Sequence, residues 1–166
     1  TFEEYPNRRS PEDMEIFIPQ TEDFHYTVDD VIAYFSEHRS DSLLLINPDN
    51  PSGNYLPFKD VLRLASWCSE HKIRLIVDES FVDFSSEFPD CTLLRNDVLE
   101  QYPDMIVVKS ISKSYGVPGL RLGIVASADK NLIAYIKKDV SIWNLNSFAE
   151  FFMQIYSKYE GEYLKS

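Results

Sequence analysis

Four short apolar runs punctuate the chain. Ser42 to Ile46 reads Ser-Leu-Leu-Leu-Ile, Ile73 to Val77 reads Ile-Arg-Leu-Ile-Val, Asp104 to Lys109 reads Asp-Met-Ile-Val-Val-Lys, and Leu120 to Ala126 reads Leu-Arg-Leu-Gly-Ile-Val-Ala. Continuous runs of this length, closed by polar or turn-forming residues, predict strands buried on both faces of a parallel sheet. Between the first two, Pro57 to His71 carries Val61, Leu62, Leu64, Ala65, Trp67 and Cys68 at helical spacing. Strand, helix, strand is a βαβ unit, so right-handed parallel pairing is expected. The fourth run follows the third through a connection too short for a helical crossover, which predicts an antiparallel neighbour. The pattern as a whole is that of an α/β protein with a mostly parallel sheet and one antiparallel strand.

The remaining elements read from caps and periodicity. Thr1 to Arg9 suggests a short helix, with Thr1 as cap and Glu3 and Glu4 in the first turn. Met-Glu-Ile-Phe-Ile, within Asp13 to Pro19, suggests a further strand. Thr27 precedes Asp29 and Asp30, and Val31, Ile32, Tyr34 and Phe35 form an apolar face up to His38. A helical turn is expected around Leu93 to Leu99. Asp129 caps a helix to about Lys138, and Asn146 or Ser147 starts a last helix to about Tyr163, with Phe151, Phe152, Ile155 and Tyr156 on one side. His25 and His38 stand among polar neighbours and read as surface residues.

Composition narrows the function classes. The 166 residues suffice for one domain with a real core. A net charge of −11 leaves no basic field for a nucleic-acid or anionic-membrane partner, so an anionic ligand must be held by a local cluster. Cys68 and Cys91 provide neither a disulfide framework nor a metal-ligand spacing, and Cys68 reads as a packed thiol. With no apolar run long enough to span a bilayer and no signal peptide, a cytoplasmic protein is expected. The absence of an initial methionine, and an end within a helical pattern, suggest a piece of a longer protein.

Three polar segments follow three of the strands: Asn47–Gly53, Asp78–Phe81 and Ser110–Lys113. In an open α/β sheet the ligand lies beyond the carboxyl ends of the strands, and parallel pairing brings all three segments to one edge. Lys113 is flanked by Ser110, Ser112 and Ser114, and Arg121 offers a planar fork suited to a phosphate. Lysine is also the side chain that forms Schiff bases. Read singly, Lys113 is a solvated loop lysine, Asp78 a loop cap and Asn50 an Asx turn.

Together, the segments resemble a known family. Asn47-Pro-Asp-Asn-Pro-Ser-Gly53, Asp78-Glu-Ser-Phe81 and Ser110-Ile-Ser-Lys113 with Gly119-Leu-Arg-Leu-Gly123 are similar, in order, to the motifs of fold-type-I pyridoxal-phosphate (PLP) enzymes of the class I/II aminotransferase group. More loosely, Thr1-Phe-Glu-Glu-Tyr5 and Trp143-Asn-Leu-Asn146 also match. The nearest branch contains histidinol-phosphate aminotransferase and threonine-phosphate decarboxylase. The resemblance implies a three-layer α/β/α architecture, the large cofactor domain of a PLP transferase. Residues 1–166 would be a central portion, with the phosphate loop and ring-stacking aromatic upstream and a small domain downstream. It implies Lys113 as Schiff-base lysine and catalytic base, and Asp78 as partner of the ring nitrogen. Asn50 would donate to the 3-hydroxyl oxygen, and Ser110 and Arg121 would bind the phosphate. Phe81 stands where aminotransferases carry a Tyr that also touches that oxygen; it cannot donate, and the decarboxylase side of the branch has Phe there. A small-molecule amino donor or keto acid and a homodimer are implied as partners. Transamination is the leading reading and decarboxylation the alternative; a non-catalytic module that only folds or dimerises is the alternative of another class.

Overall fold

The computed structural model describes residues 3–163. Their order is α1 (Val28–Glu37), β1 (Ser42–Ile46), α2 (Phe58–Glu70), β2 (Arg74–Asp78), α3 (Asn96–Gln101), β3 (Ile106–Ser110), α4 (Ile111–Ser114), β4 (Gly123–Ala126), α5 (Lys130–Lys138) and α6 (Ser147–Tyr163). Single 3-10 turns cover Pro6–Arg8, Pro11–Asp13, Val82–Phe84 and Pro118–Leu120. The four strands form one sheet in the order β1-β2-β3-β4. The first two pairings are parallel and the β3–β4 pairing is antiparallel, as the run pattern predicts.

The helix signals act where they were read. Thr27 and Asp30 form a reciprocal capping box at the start of α1. Asp129 accepts from the backbone N–H groups of Asn131 and Leu132, and Asn146 from that of Ala149. Lys72 ends α2 in the left-handed conformation that more often falls to glycine. The core fills the space between α1, α2 and the sheet, with Leu64, Leu75, Val77, Leu93 and Val107 almost fully buried. Cys68 lies in the same cluster, and burial pushes its thiol up to about 12, so it is an inert packed residue at neutral pH. His25 and His38 are exposed, and the His38 ring stacks on Tyr34.

Four expectations need correction. The Met-Glu-Ile-Phe-Ile stretch, Met14–Ile18, is not a strand. It runs along α1 with Phe17 packed edge-on against Tyr26 and Tyr34, while Ile16 and Ile18 face solvent. β-propensity without a partner strand does not make a ladder. The amino-terminal helix reduces to the Pro6–Arg8 turn, because Pro6 lacks the N–H a longer helix needs; its proposed cap, Thr1, lies outside the described residues. The fourth strand is only Gly123–Ala126, an edge strand with Ile124 and Val125 exposed, since Pro118 starts a 3-10 turn. In α6 the partly buried face is Phe152, Ile155 and Tyr156, and Phe151 points outward.

Glu79, directly after β2, is fully buried. Its carboxylate accepts from the Leu93 backbone N–H at 2.6 Å and the Thr92 hydroxyl at 2.8 Å, which ties the long β2–α3 connection to the sheet. Burial raises its pKa, and those two bonds and Lys109 offset part of the rise. A raised folded pKa contributes stability below the unfolded carboxylate value and loses it as pH rises through the folded value. Urea unfolding of Glu79→Gln beside the unsubstituted protein therefore has a defined outcome. The unsubstituted protein gains stability relative to the variant as pH falls from neutral into the carboxylate range; a pH-independent difference would contradict it. Leu64→Ala, at the centre of the core, is expected to cost about 2–5 kcal/mol in the same measurement.

Candidate active site

Strand register brings the three polar segments together. Ile46 pairs with Asp78 and Asp78 with Val108; the Asn47 backbone N–H donates to the Asp78 carbonyl at 3.0 Å, and that of Glu79 to the Val108 carbonyl at 2.8 Å. Asn47, Asp78 and Ser110 thus end adjacent strands on one edge of the sheet, as parallel pairing requires.

The first segment is a closed loop. The buried Asn47 side chain donates to the Leu56 carbonyl at 2.9 Å and accepts from its N–H at 2.8 Å, a two-point clasp across nine residues. Inside the loop, Asp49 accepts from the Ser52 hydroxyl and the Gly53 N–H, with Gly53 at a φ of 76° that disfavours any side chain. The clasp presents Asn50, half-buried, on the wall of an open cleft of about 500 Å³ with Pro48, Gly53, Tyr55, Phe81 and Phe84.

The second segment carries the buried carboxylate. Asp78 Oδ1 accepts from the Ser80 N–H at 2.8 Å, and Oδ2 accepts from the Tyr5 hydroxyl at 2.6 Å. Both oxygens are therefore held. The Tyr5 phenol is raised well above its usual range, chiefly by burial and then by the Asp78 hydrogen bond and charge, so it remains a donor at neutral pH. Ser80 joins this segment to the third: its hydroxyl accepts from the Ser110 N–H at 3.0 Å.

The third segment places the lysine. Ser110 ends β3 and immediately precedes the single turn of α4, on which Lys113 lies with Nζ 4.2 Å from the centre of the Phe81 ring. Each neighbour of Lys113 is anchored. The buried Ser112 hydroxyl donates to the Leu122 carbonyl and accepts from its N–H at 3.0 Å. The Ser114 hydroxyl donates to Asp83, and Tyr163 donates to the Ser114 carbonyl at 2.7 Å. Asp83 also pairs with Lys109 at 2.5 Å, with the two side chains only 13% and 12% exposed. Tyr115 packs its ring on α6 against Phe152, Tyr156 and Tyr163, and donates to Glu160 at 2.6 Å. Arg121 flanks this turn: the Ile111 N–H donates to the Leu122 carbonyl, so Ser110 and Arg121 are the residues preceding the two partners. Arg121 is exposed, with a left-handed backbone of φ 56°, a conformation that costs a non-glycine residue of order 1–3 kcal/mol.

Asn50 and Phe81 thus share the cleft wall, Lys113 faces the same Phe81 ring, and Asp78 and Ser110 are linked through Ser80. Asp78, Ser110, Lys113 and Arg121 are not part of that cleft's wall. Sequence reasoning matched Thr1-Phe-Glu-Glu-Tyr5 to a family stretch but gave Tyr5 no role. It also passed over Asn47, Ser80 and Asp83, whose neighbours in the motifs drew the reading.

Comparison with known proteins identifies the family. The family model described as aminotransferase class I and II matches residues 7–158. CMP-5'-(3-aminopropyl)phosphonate synthase of Streptomyces rubellomurinus is 34% identical over 93% of this chain and 24% of its own length. L-serine phosphate decarboxylase of Sulfurospirillum multivorans is 31% identical over 85% of this chain and 36% of its own. The solved histidinol-phosphate aminotransferase of Clostridium acetobutylicum superposes with a TM-score of 0.73 at 25% identity, covering 90% of this chain and 43% of that one. The chain spans 24% and 36% of the length of the two curated relatives. Sheet order, the loops at one strand edge and the match over residues 7–158 converge: this chain belongs to the aminotransferase class I and II family of PLP-dependent, fold-type-I enzymes.

Proposed function

We propose that this chain forms the cofactor-binding part of an enzyme that binds PLP and transfers the amino group of a small amino-acid or amino-phosphate substrate. The observation that carries the reading is the Lys113 amine 4.2 Å from the centre of the Phe81 ring, a ring that itself lines the cleft with Asn50. The donor set fits the cofactor's chemistry: an amine for its aldehyde, a buried carboxylate for its ring nitrogen, an amide for its 3-hydroxyl oxygen, and a hydroxyl with a guanidinium for its phosphate.

When bound, PLP supplies an electron-withdrawing ring that eases breakage of a bond at the substrate carbon bearing the amino group. Lys113 would hold the aldehyde end, and its amine is the group that would take and return the proton at that carbon. Asp78 would accept from the protonated ring nitrogen, with its two oxygens oriented by Tyr5 and Ser80. Asn50 donates through Nδ2 to the 3-oxygen. Ser110 and Arg121 hold the phosphate, with the turn between them closed by the Ile111–Leu122 bond. For the whole enzyme the reading includes a homodimer and a cytoplasmic location. Among the described residues no helix is long and apolar enough to cross a membrane.

Decarboxylation is the second reading, and Phe81 favours it. The family's aminotransferases have a hydroxyl here; Phe81 presents only a ring face to the Lys113 amine. The relative from Sulfurospirillum multivorans is named a decarboxylase of L-serine phosphate. Incubating the whole enzyme with O-phospho-L-serine and with histidinol phosphate separates the two, by carbon dioxide release in one case and transfer of the amino group to a keto acid in the other.

Borohydride reduction of the PLP-loaded protein is expected to leave the cofactor's mass on the Lys113 peptide. Lys113→Ala should lose that adduct and about 10²–10⁴-fold in turnover. Equal adduct on the variant would rule out the Schiff-base role. Asp78→Ala is expected to fold and still lose most of its turnover, checked by thermal unfolding beside a steady-state assay. Unchanged turnover would remove Asp78 from the site. Phe81→Tyr restores a donor beside the 3-oxygen and should move the pH midpoint of the bound cofactor's visible absorbance; an unmoved midpoint would mean that residue 81 does not reach that oxygen.

A further inference from the structure

We infer that Tyr5 is a positioning residue of the cofactor site, acting through Asp78: its hydroxyl fixes the carboxylate that receives the ring nitrogen. This rests on the reading above that Asp78 serves that nitrogen. The hydroxyl lies 2.6 Å from Asp78 Oδ2, and the two residues are separated by 73 positions in the chain. Asp78 is buried at the end of β2, where water does not replace a lost partner. An ionised carboxylate has about four acceptor positions on its two oxygens. Ser80 N–H takes one on Oδ1 and Tyr5 one on Oδ2, which leaves capacity for an incoming N–H. Ser80 alone fixes one oxygen and permits rotation about the Cβ–Cγ bond; the Tyr5 bond at the second oxygen removes that freedom. The raised phenol pKa keeps the proton on Tyr5, so the bond persists across neutral pH with the tyrosine as donor. The segment itself is shaped by the Pro6–Arg8 turn, whose bonds run from Arg8 N–H to the Tyr5 carbonyl and from Arg9 N–H to the Pro6 carbonyl.

The test is a double-mutant cycle in the PLP-loaded whole enzyme, read by kcat, by PLP dissociation constant and by the position of the cofactor's absorbance maximum. Tyr5→Phe removes one oxygen and is expected to lower kcat by about tenfold to a hundredfold, the worth of one hydrogen bond to a charged group. It should also weaken PLP binding and shift the absorbance maximum. In an Asp78→Asn background the same change should have little further effect on any of the three. Pro6→Ala loosens the same segment and leaves the hydroxyl, so it should keep the native spectrum. Equal factors for Tyr5→Phe in both backgrounds, or equal spectral changes for Tyr5→Phe and Pro6→Ala, would overturn the inference and reduce Tyr5 to a packing residue. An Asp78→Asn enzyme that loses turnover beside a fully active Tyr5→Phe would overturn the Tyr5 role alone. An Asp78→Asn enzyme with native spectrum and turnover overturns the site reading itself.

Discussion

Parallel register between β1, β2 and β3 is the constraint on which the rest depends. Side chains alternate along a strand, so a slip of β2 by one residue would exchange Val77 and Asp78. Val77 is fully buried in the apolar cluster with Leu64, Leu75 and Val107; a carboxylate in its place would lie unpaired in the core. That penalty locks the register, and the register in turn holds Asn47, Asp78 and Ser110 at the same edge. The chemistry at the strand ends is therefore positioned by apolar residues that touch none of it.

A buried polar edge is stable only when each group has a partner, and here the partners are largely backbone. Asn47 is satisfied by both groups of Leu56, Ser112 by both groups of Leu122, Glu79 by Leu93 N–H and Thr92, and Asp78 by Ser80 N–H and Tyr5. Among the described residues no buried side-chain nitrogen or oxygen lacks a hydrogen bond. Each of these bonds also ties a loop back to a strand end, so the polar loops are held by the same contacts that make them tolerable.

What was legible in the sequence follows from this division. The strands were readable because Leu-Leu-Leu-Ile, Leu-Ile-Val and Ile-Val-Val are apolar on both faces, although only one face is fully buried: Leu44, Ile76, Ile106 and Val108 on the other are half-buried, so the expected burial on both faces is only partial. That the segments carrying Asn50, Asp78 and Lys113 follow adjacent strand ends was readable because parallel topology alone places strand ends together. The partners of those residues were not. Tyr5 lies 73 positions from Asp78, Ser80 lies 30 from Ser110, and Asp83 lies 31 from Ser114. No local pattern encodes which of many hydroxyls reaches a given oxygen. Met14–Ile18 misled for the opposite reason: its composition suits a strand, but it pairs with none of the four, and Phe17 settles on α1 instead.

The Lys109–Asp83 pair shows how position can matter more than strength. At 2.5 Å and nearly buried, it sits where desolvation offsets most of the Coulomb attraction, so its net contribution to stability is small. Its geometry is nevertheless consequential. Lys109 belongs to β3, Asp83 to the turn after Phe81, and Asp83 also accepts from Ser114, the residue after Lys113. One carboxylate therefore fixes the separation between the strand that leads to the lysine, the turn that carries the Phe81 ring, and the helical turn that carries Lys113. The 4.2 Å between that amine and that ring is a consequence of this brace, because both partners are mounted on elements that Asp83 joins. A hydrophobic replacement of equal volume would keep the elements in contact but lack the directed bonds to Lys109 and Ser114 that join them here.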